Sequence, residues 1–275
     1  MTLVSRNRII LSLFILAVAF ILVTGIIFVL ALMKGTILFP ETTQRLFDLP
    51  NVPLLSPNMS AAILSAIVLL LYSAVMLGIS LVNFEKTRSL EITCFAFFAL
   101  GCLFEGIRIW LPVFNFWANH SPRYVLIGEL LFFGRALSVV NLLALSLLAL
   151  ELENKQNIEM NLLVVTAVAT LLARLTPIES LIVPSNCSIR FGYEKMFLTV
   201  AAVSFLVGFL SMIYQSNNRG SQEYTRVAVG FLLLSFGYLI LTQADSILFC
   251  AAGSIVLVAG SITFLVNLHR FYTWK

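Results

Sequence analysis

Two opposite charges lie three residues apart inside an apolar stretch of this sequence, FEGIRIWLP at residues 104–112. In a helix, Glu105 and Arg108 fall on one face, because residues three apart are neighbours on the helix surface. A carboxylate and a guanidinium so placed can pair with each other, or leave the arginine to hold a carboxylate or phosphate group with its planar fork. The stretch therefore predicts either a structural ion pair or part of an anion-binding site.

A second apolar run, residues 124–150, carries two more ionisable side chains. Glu129 is near the outer end of this run, and Arg135 lies about 18 Å in from residue 123 at the helical rise of about 1.5 Å per residue. An arginine at that depth costs at least about 2.5–3.5 kcal/mol on insertion scales. We therefore expect Arg135 to face the interior of a helical bundle and to meet Glu105 or Glu129.

Two further runs place polar side chains at helical spacing and at similar depth. In the run 160–177, the polar positions four residues apart are Thr166, Thr170 and Arg174. Around the end of the run 226–244, the polar positions on one face are Ser235, Tyr238, Thr242 and Asp245. Helical phase shows only that each set shares a face, so the convergence of all four faces is a hypothesis about packing.

Convergence of these faces would create a polar site in the outer half of a membrane. Three guanidinium groups would face two carboxylates, and the positive excess favours a small anion that enters from outside, although counting Asp245 would cancel that excess. The alternative is an Arg–Glu network that only fixes helix packing, with Arg174 and Glu129 reaching the interface from helix ends. The predicted ligand-binding residues are Glu105, Arg108, Glu129, Arg135, Thr170, Arg174, Tyr238, Thr242 and Asp245.

The composition determines which elements can position these residues. Apolar residues make up 60% of the chain and charged residues only 11%, whereas soluble domains carry about 25% charged residues. The predicted fold class is therefore all-α, a polytopic transmembrane helical bundle that leaves no length for a soluble domain. Because a span needs roughly 20 apolar residues, about eight spans fit, at 9–33, 60–83, 91–112, 124–150, 160–177, 195–214, 226–244 and 246–268.

The order of these segments predicts the organisation of the chain and its orientation. We expect a signal-anchor helix at 1–34, an external arm at 35–59 that caps the bundle or lies on its outer surface, and a seven-helix membrane bundle at 60–275. Because Lys and Arg collect in cytoplasmic loops, the predicted location is the cell (inner) membrane with both termini cytoplasmic. Nine basic residues then lie inside, namely Arg6, Arg8, Lys86, Arg88, Lys155, Arg219, Arg226, Arg270 and Lys275, and five outside, namely Lys34, Arg45, Arg123, Arg190 and Lys195.

Motifs for catalysis and for cofactors are missing from the sequence. It contains no H-E-x-x-H, no G-x-S-x-G and no phosphate-binding glycine-rich loop. The four cysteines and two histidines show neither a disulfide framework nor the spacing of metal ligands. We therefore predict no cofactor and no metal, and an enzyme is the least favoured class of protein.

Two short patterns concern packing and modification. Gly253 and Ser254 recur seven residues later as Gly260 and Ser261, which predicts close contact with a helix of this chain or of a second copy. An N-x-Ser pattern, the acceptor for N-glycosylation, begins at three positions on the predicted outside, Asn58, Asn119 and Asn186.

Together these features predict an integral membrane protein with an outward-facing polar cavity for a small polar or anionic ligand, as a receptor-like sensor or accessory module. A small transporter or channel subunit is one alternative, and a structural or assembly subunit with a buried ion-pair network is another. The expected partners are the lipid bilayer, a small anionic ligand, and a cytoplasmic signalling partner or a second copy. No nucleic acid is expected, because membrane orientation accounts for the basic residues.

Overall fold

The computed structural model describes residues 3–39, 43–46, 55–85, 89–117, 122–148, 158–179 and 182–273. Within these ranges most of the chain is helical, which confirms the predicted all-α bundle. The helices are α1 (Leu3–Lys34), α2 (Met59–Asn83), α3 (Leu90–Leu103), α4 (Trp110–Val113), α5 (Pro122–Leu148), α6 (Ile158–Leu175), α7 (Glu194–Arg219), α8 (Gln222–Thr242) and α9 (Ile247–Thr273).

Seven helical segments of the described chain are long and apolar enough to cross a membrane, counting α3, the 3-10 turn that follows it and α4 as one. The protein is therefore a multi-pass membrane protein. The predicted span at 160–177 corresponds to α6, which is a shorter apolar helix than the other seven. The helix α1 packs on α2 at the edge of the bundle and leaves most of its surface exposed, as expected for a helix that faces lipid.

The third predicted span is interrupted in its outer half. After α3, the backbone tightens into a 3-10 helix at Phe104–Ile109, and α4 follows directly. Side chains three residues apart eclipse each other in a 3-10 helix, so Glu105 and Arg108 lie directly in line. The turn fits closely against α2, because a Cβ atom at Gly106 would lie 2.7 Å from a methyl carbon of Leu70.

The last two helices, α8 and α9, form the most extensive helix–helix contact among the described residues. A Cβ atom on Gly237 would lie 2.4 Å from the backbone nitrogen of Leu257, and one on Gly260 would lie 2.3 Å from that of Leu234. Small residues allow this backbone approach. The repeated glycine pattern at the end of the sequence therefore packs against a helix of the same chain.

The connection between α6 and α7 folds back into the outer end of the bundle. Two short antiparallel strands, β1 (Ile178–Glu179) and β2 (Arg190–Phe191), pair at its base. Most of the segment between them, residues 182–189, is buried, and we call this segment the inserted loop. Of the predicted external arm, residues 43–46 lie over the inserted loop: the Gln44 N–H donates to the Val183 carbonyl at 2.9 Å, and the Ser185 N–H donates to the Gln44 carbonyl at 3.0 Å. Residues 40–42 and 47–54 of the arm lie outside the described residues.

The contact between α8 and α9 generates the first prediction. We expect Gly237→Ala to destabilise the protein by about 1–3 kcal/mol, the usual effect of overpacking, because the added methyl group meets backbone atoms that cannot move aside. Thermal unfolding in detergent measures the change. The matched control is Gly25→Ala on α1, where an added Cβ meets nothing within 4 Å. An equal effect of the two substitutions would contradict the close approach of α8 and α9.

Candidate functional site

The predicted pair in the third span is the centre of a buried group of charges. Glu105 accepts hydrogen bonds from two arginines, one beside it in sequence and one on α5. Arg108 Nη1 lies 3.5 Å from Glu105 Oε2, and Arg135 approaches the same carboxylate with Nε at 2.8 Å and Nη2 at 3.3 Å. Glu105 and Arg108 are fully buried and Arg135 is 3% exposed. Glu105 thus serves as the counter-charge for both arginines.

Two glycines bring α3 and α5 close enough for this contact. A Cβ atom on Gly101 would lie 2.7 Å from the Gly134 carbonyl oxygen, and one on Gly134 would lie 3.0 Å from that of Gly101. Gly101 is one turn before Glu105, and Gly134 immediately precedes Arg135. The helices therefore cross where neither has a side chain, and the charged groups meet beside the crossing.

A second carboxylate, which the sequence analysis missed, completes the group. Glu194 at the start of α7 lies with Oε1 3.6 Å from Arg135 Nη1, and the same oxygen accepts a hydrogen bond from Gln243 Nε2 at 3.1 Å. We call Glu105, Arg108, Arg135 and Glu194 the central cluster. Its two guanidinium groups face two carboxylates, so the positive excess predicted from the sequence is not observed in it.

Glu194 was missed because it directly precedes the predicted span at 195–214. An acidic residue in the first turn of a helix is favoured by the partial positive charge at the helix N-terminus. That preference places Glu194 at the buried outer end of α7 and could have identified it as a candidate.

Backbone carbonyls and one serine hydroxyl are further partners of the two arginines. From the inserted loop, the Asn186 carbonyl accepts from Arg108, and Ser188 Oγ accepts from Arg135 at 2.9 Å. The end of α8 contributes the Leu241 carbonyl, 3.5 Å from Arg108 Nη1, and the Thr242 carbonyl, 3.5 Å from Arg135 Nη2. The last carbonyls of a helix lack partners within the helix and carry partial negative charge, so the end of α8 is a suitable acceptor for buried cations.

Two predicted residues on α8 lie at or beside the central cluster. Thr242 takes part through its carbonyl, while its hydroxyl donates to the Leu239 carbonyl at 2.9 Å. Tyr238 is buried next to the cluster, and its ring packs edge-on against Phe98 with 5.4 Å between centroids.

The structure does not bring the other four predicted residues into the cluster. Glu129 and Arg174 pair with each other at 2.7 Å on the surface, where 68% of the Arg174 side chain is exposed. Thr170 is exposed on α6 and donates to the Thr166 carbonyl. Asp245 binds the arm and the inserted loop instead, with Arg45 Nε and Ser185 Oγ at 2.8 and 2.7 Å.

A groove of about 360 Å³ lies beside the central cluster at the same end of the bundle. Most of its lining surface is apolar, and its polar residues lie in the arm, in and beside the inserted loop and at the outer ends of α7 and α8. The polar lining residues are Gln44, Arg45, Ser185, Asn186, Arg190, Glu194, Gln243 and Asp245, and the apolar ones are Leu46, Pro184, Leu198, Ala202, Leu239, Ile240 and Phe249. We call this cavity the outer groove. Its volume falls within the range of small-molecule pockets, about 300–1,000 Å³.

The outer groove and the central cluster share two residues. Glu194 lines the groove and is also a counter-charge of Arg135. Asn186 lines the groove, its carbonyl accepts from Arg108, and its side-chain amide donates to Thr242 and Gln243 at 3.2 Å each. An occupant of the groove that touches either residue therefore contacts a direct partner of a buried arginine.

The inserted loop contains two further residues of chemical interest. Burial raises the pKa of the Cys187 thiol to about 12, against a smaller lowering effect of Arg108, so this thiol is neutral at physiological pH.

Asn186, the third of the N-x-Ser positions, is 4% exposed and uses its amide hydrogens inside the protein, which leaves no room for a glycan in this fold. Asn58, by contrast, is exposed and caps α2, and Asn119 lies outside the described residues. No group of three His, Cys, Asp or Glu side chains within the described part of the chain could hold a metal ion.

The contrast between the buried central cluster and the exposed pair of Glu129 and Arg174 generates the second prediction. We expect Arg135→Leu to destabilise the protein by about 3–5 kcal/mol, because it removes the counter-charge of Glu194 and leaves Glu105 with Arg108 alone. The matched control is Arg174→Leu, which removes an exposed pair and should change stability by less than about 1 kcal/mol. Both values come from unfolding in detergent. Similar losses for the two variants would contradict a buried cluster that is distinct from the surface pair.

The site is thus a neutral buried ion cluster with an adjoining groove that is polar at its outer end. No protein-family model matches this chain, and no curated protein is significantly similar to it.

Proposed function

We propose that this protein is a receptor-like or accessory membrane protein that binds a small polar or anionic ligand from the outer side, in the outer groove. The observation that carries the proposal is the sharing of Glu194 and Asn186 between the groove and the central cluster. A ligand that contacts these residues can change the environment of the arginines that hold α3, α5 and α8 together.

The groove supports ligand binding better than the central cluster does. In the cluster, two carboxylates match two guanidinium groups, and the inserted loop covers them. The groove is a cavity, and its polar end includes Arg190, whose pair with Glu179 at 3.3 Å is partly exposed. A partly exposed pair contributes little energy, so the Arg190 guanidinium can exchange its partner for a ligand group.

The balanced charge of the cluster also favours a second candidate, a structural or assembly subunit. In that case the ion pairs only fix how the helices pack, which is a known use of buried charges. The two candidates differ in one respect, because only the first requires the groove to be occupied.

For the orientation, we propose that both termini are cytoplasmic in the cell (inner) membrane and that the outer groove faces away from the cytoplasm. Two contacts support a common side for the termini, which requires the shorter helix α6 to cross the membrane in addition to the seven long segments. Arg6 near the start of α1 donates to the Phe84 carbonyl at the end of α2, and Tyr272 near the end of α9 donates to Glu91 at the start of α3 at 2.9 Å. The excess of basic residues at this end supports its assignment to the cytoplasm.

The orientation generates the third prediction. In a variant whose four native cysteines are replaced by serine, we expect Tyr193→Cys to react with a membrane-impermeant maleimide in intact cells or spheroplasts. Tyr193 is 64% exposed, one residue before α7. The control Gln222→Cys, at the start of α8 and exposed on the opposite side, should react only after permeabilisation. The reverse pattern would contradict an outward-facing groove.

Ligand binding generates the fourth prediction. We expect at least one member of a panel of soluble anions, consisting of inorganic phosphate, glycerol 3-phosphate, acetate and succinate, to raise the unfolding temperature of the purified protein saturably. A ligand at 100 times its Kd stabilises by about 2.7 kcal/mol. The variant Ala202→Trp, which fills the groove, should lose this response.

The control for this experiment is Ala167→Trp, which adds the same side chain at an exposed position of α6 and should keep the response. Stabilisation that survives Ala202→Trp would place the ligand elsewhere. No response of the native protein to any of the four anions would favour the structural subunit.

A further inference from the structure

The lining of the outer groove changes from polar to apolar along one face of α7. Glu194, Leu198 and Ala202 follow each other at four-residue intervals and all line the groove. At about 1.5 Å per residue, Ala202 is about 12 Å deeper than Glu194. The end of α8 shows the same order, with Gln243 at the outer end and Ile240 one turn deeper. A ligand that fills the groove must therefore be polar at one end and apolar along the rest.

The apolar part of the groove lies within helices that cross the membrane. The helix α8 packs along both α7 and α9 and forms the floor of the groove, while Ala202 and Phe249 belong to its two walls. Next to the walls, Val203 of α7 and Leu248 of α9 are exposed, and exposed apolar side chains on a membrane helix face lipid. Both walls of the groove therefore border the lipid of the outer leaflet.

The charges at the polar end of the groove determine whether the polar group of the ligand is an anion or a cation. Both carboxylates there already have buried partners, since Asp245 binds Arg45 and Ser185, and Glu194 binds Arg135 and Gln243.

Arg190 is the cation at this end whose present partners are easiest to replace. Its guanidinium binds Glu179 at 3.3 Å, with 26% and 42% of the two side chains exposed, and it donates to Gln44 at 3.2 Å. Both contacts are partly exposed to water, so they are weak compared with a charged ligand group held by two N–H donors. The polar end therefore complements an anion.

We infer that the outer groove holds an anionic phospholipid of the outer leaflet, with its phosphate at Arg190 and one acyl chain between α7 and α9 along α8. This inference rests on the proposed function, because it names the ligand of the same groove. The bilayer supplies such a ligand by lateral diffusion, and the apolar wall contributes binding energy that a small soluble anion cannot use.

The test is native mass spectrometry of the detergent-purified full chain titrated separately with phosphatidylglycerol, phosphatidylcholine and glycerol 3-phosphate. We expect one phosphatidylglycerol to bind saturably, and more tightly than either of the other two probes. Because a hydrogen bond to a charged group is worth enough to change affinity about tenfold or more, Arg190→Gln should weaken the binding of phosphatidylglycerol by at least that factor. Ala202→Trp should abolish the saturable phase.

Two control variants separate the groove from general effects of charge and bulk. Lys195→Gln removes another cation at the outer end of α7, and Ala167→Trp adds a tryptophan to the lipid-facing side of α6. Both variants should bind phosphatidylglycerol with an affinity within about twofold of that of the native protein. Unfolding without added lipid shows whether each variant folds. Should Ala202→Trp fail to fold, Leu198→Phe narrows the groove one turn closer to its polar end.

Three results with the phospholipids would overturn the inference. These are equal affinity for the two phospholipids, an unchanged affinity in Arg190→Gln, and the absence of any saturable lipid binding. Glycerol 3-phosphate that binds as tightly as phosphatidylglycerol would also overturn it, but would leave the proposed function in place, since the groove would then recognise the free anion. Phosphatidylglycerol binding without a response to any soluble anion would support the inference and correct the proposed function from a soluble ligand to a lipid.

Discussion

The structure depends on one electrostatic constraint, which is that two arginines buried at membrane depth must be neutralised within the bundle. Glu105 alone cannot do this, because one carboxylate cannot balance two guanidinium groups. Glu194 brings the second negative charge from the start of α7. The positions of α3, α5 and α7 relative to each other are therefore tied to these four side chains, since moving any of these helices outward would leave a charge in a medium that cannot solvate it.

The same constraint explains the irregular backbone at the outer end. Arginine has five N–H donors, and the two carboxylates do not accept from all of them. The end of α8 and the inserted loop supply carbonyl oxygens that have no partner within a helix, and the Ala62 carbonyl near the start of α2 also accepts from Arg108, at 3.3 Å. The 3-10 turn at Phe104–Ile109 brings Glu105 and Arg108 into line. Non-helical backbone at membrane depth is tolerated where protein groups form hydrogen bonds with it. Here the N–H groups of the two arginines donate to its carbonyl oxygens.

The sequence was sufficient for the helices and for the centre of the site, but not for its completion. Arg135 at midplane depth required a buried counter-charge, because an unpaired arginine in the membrane is costly. Glu105 was one of the two candidates that helical phase allowed, and it is the one that pairs with Arg135. Phase alone could not choose between Glu105 and Glu129, because that choice depends on how α5 and α6 are rotated; in the structure Glu129 turns to the surface and meets Arg174. The inserted loop was beyond prediction, since it contacts the arginines through the Asn186 carbonyl and the Ser188 hydroxyl. Every residue carries a carbonyl, and a single serine leaves no pattern in a sequence.

The sharing of Glu194 between the central cluster and the outer groove sets a limit on how the protein could respond to a ligand. A ligand shifts a conformational equilibrium only by the difference between its affinities for the two states. If an anion at Arg190 draws that side chain away from the outer strands β1 and β2, the inserted loop loses a support at its base, while Arg135 keeps Glu105 as its nearer counter-charge at 2.8 Å. The bundle then stays neutralised while the loop moves. Movement of the inserted loop would still take the Asn186 carbonyl from Arg108 and the Ser188 hydroxyl from Arg135, so a response of the loop and the arm reaches the central cluster through these two hydrogen bonds without separating α3 from α5.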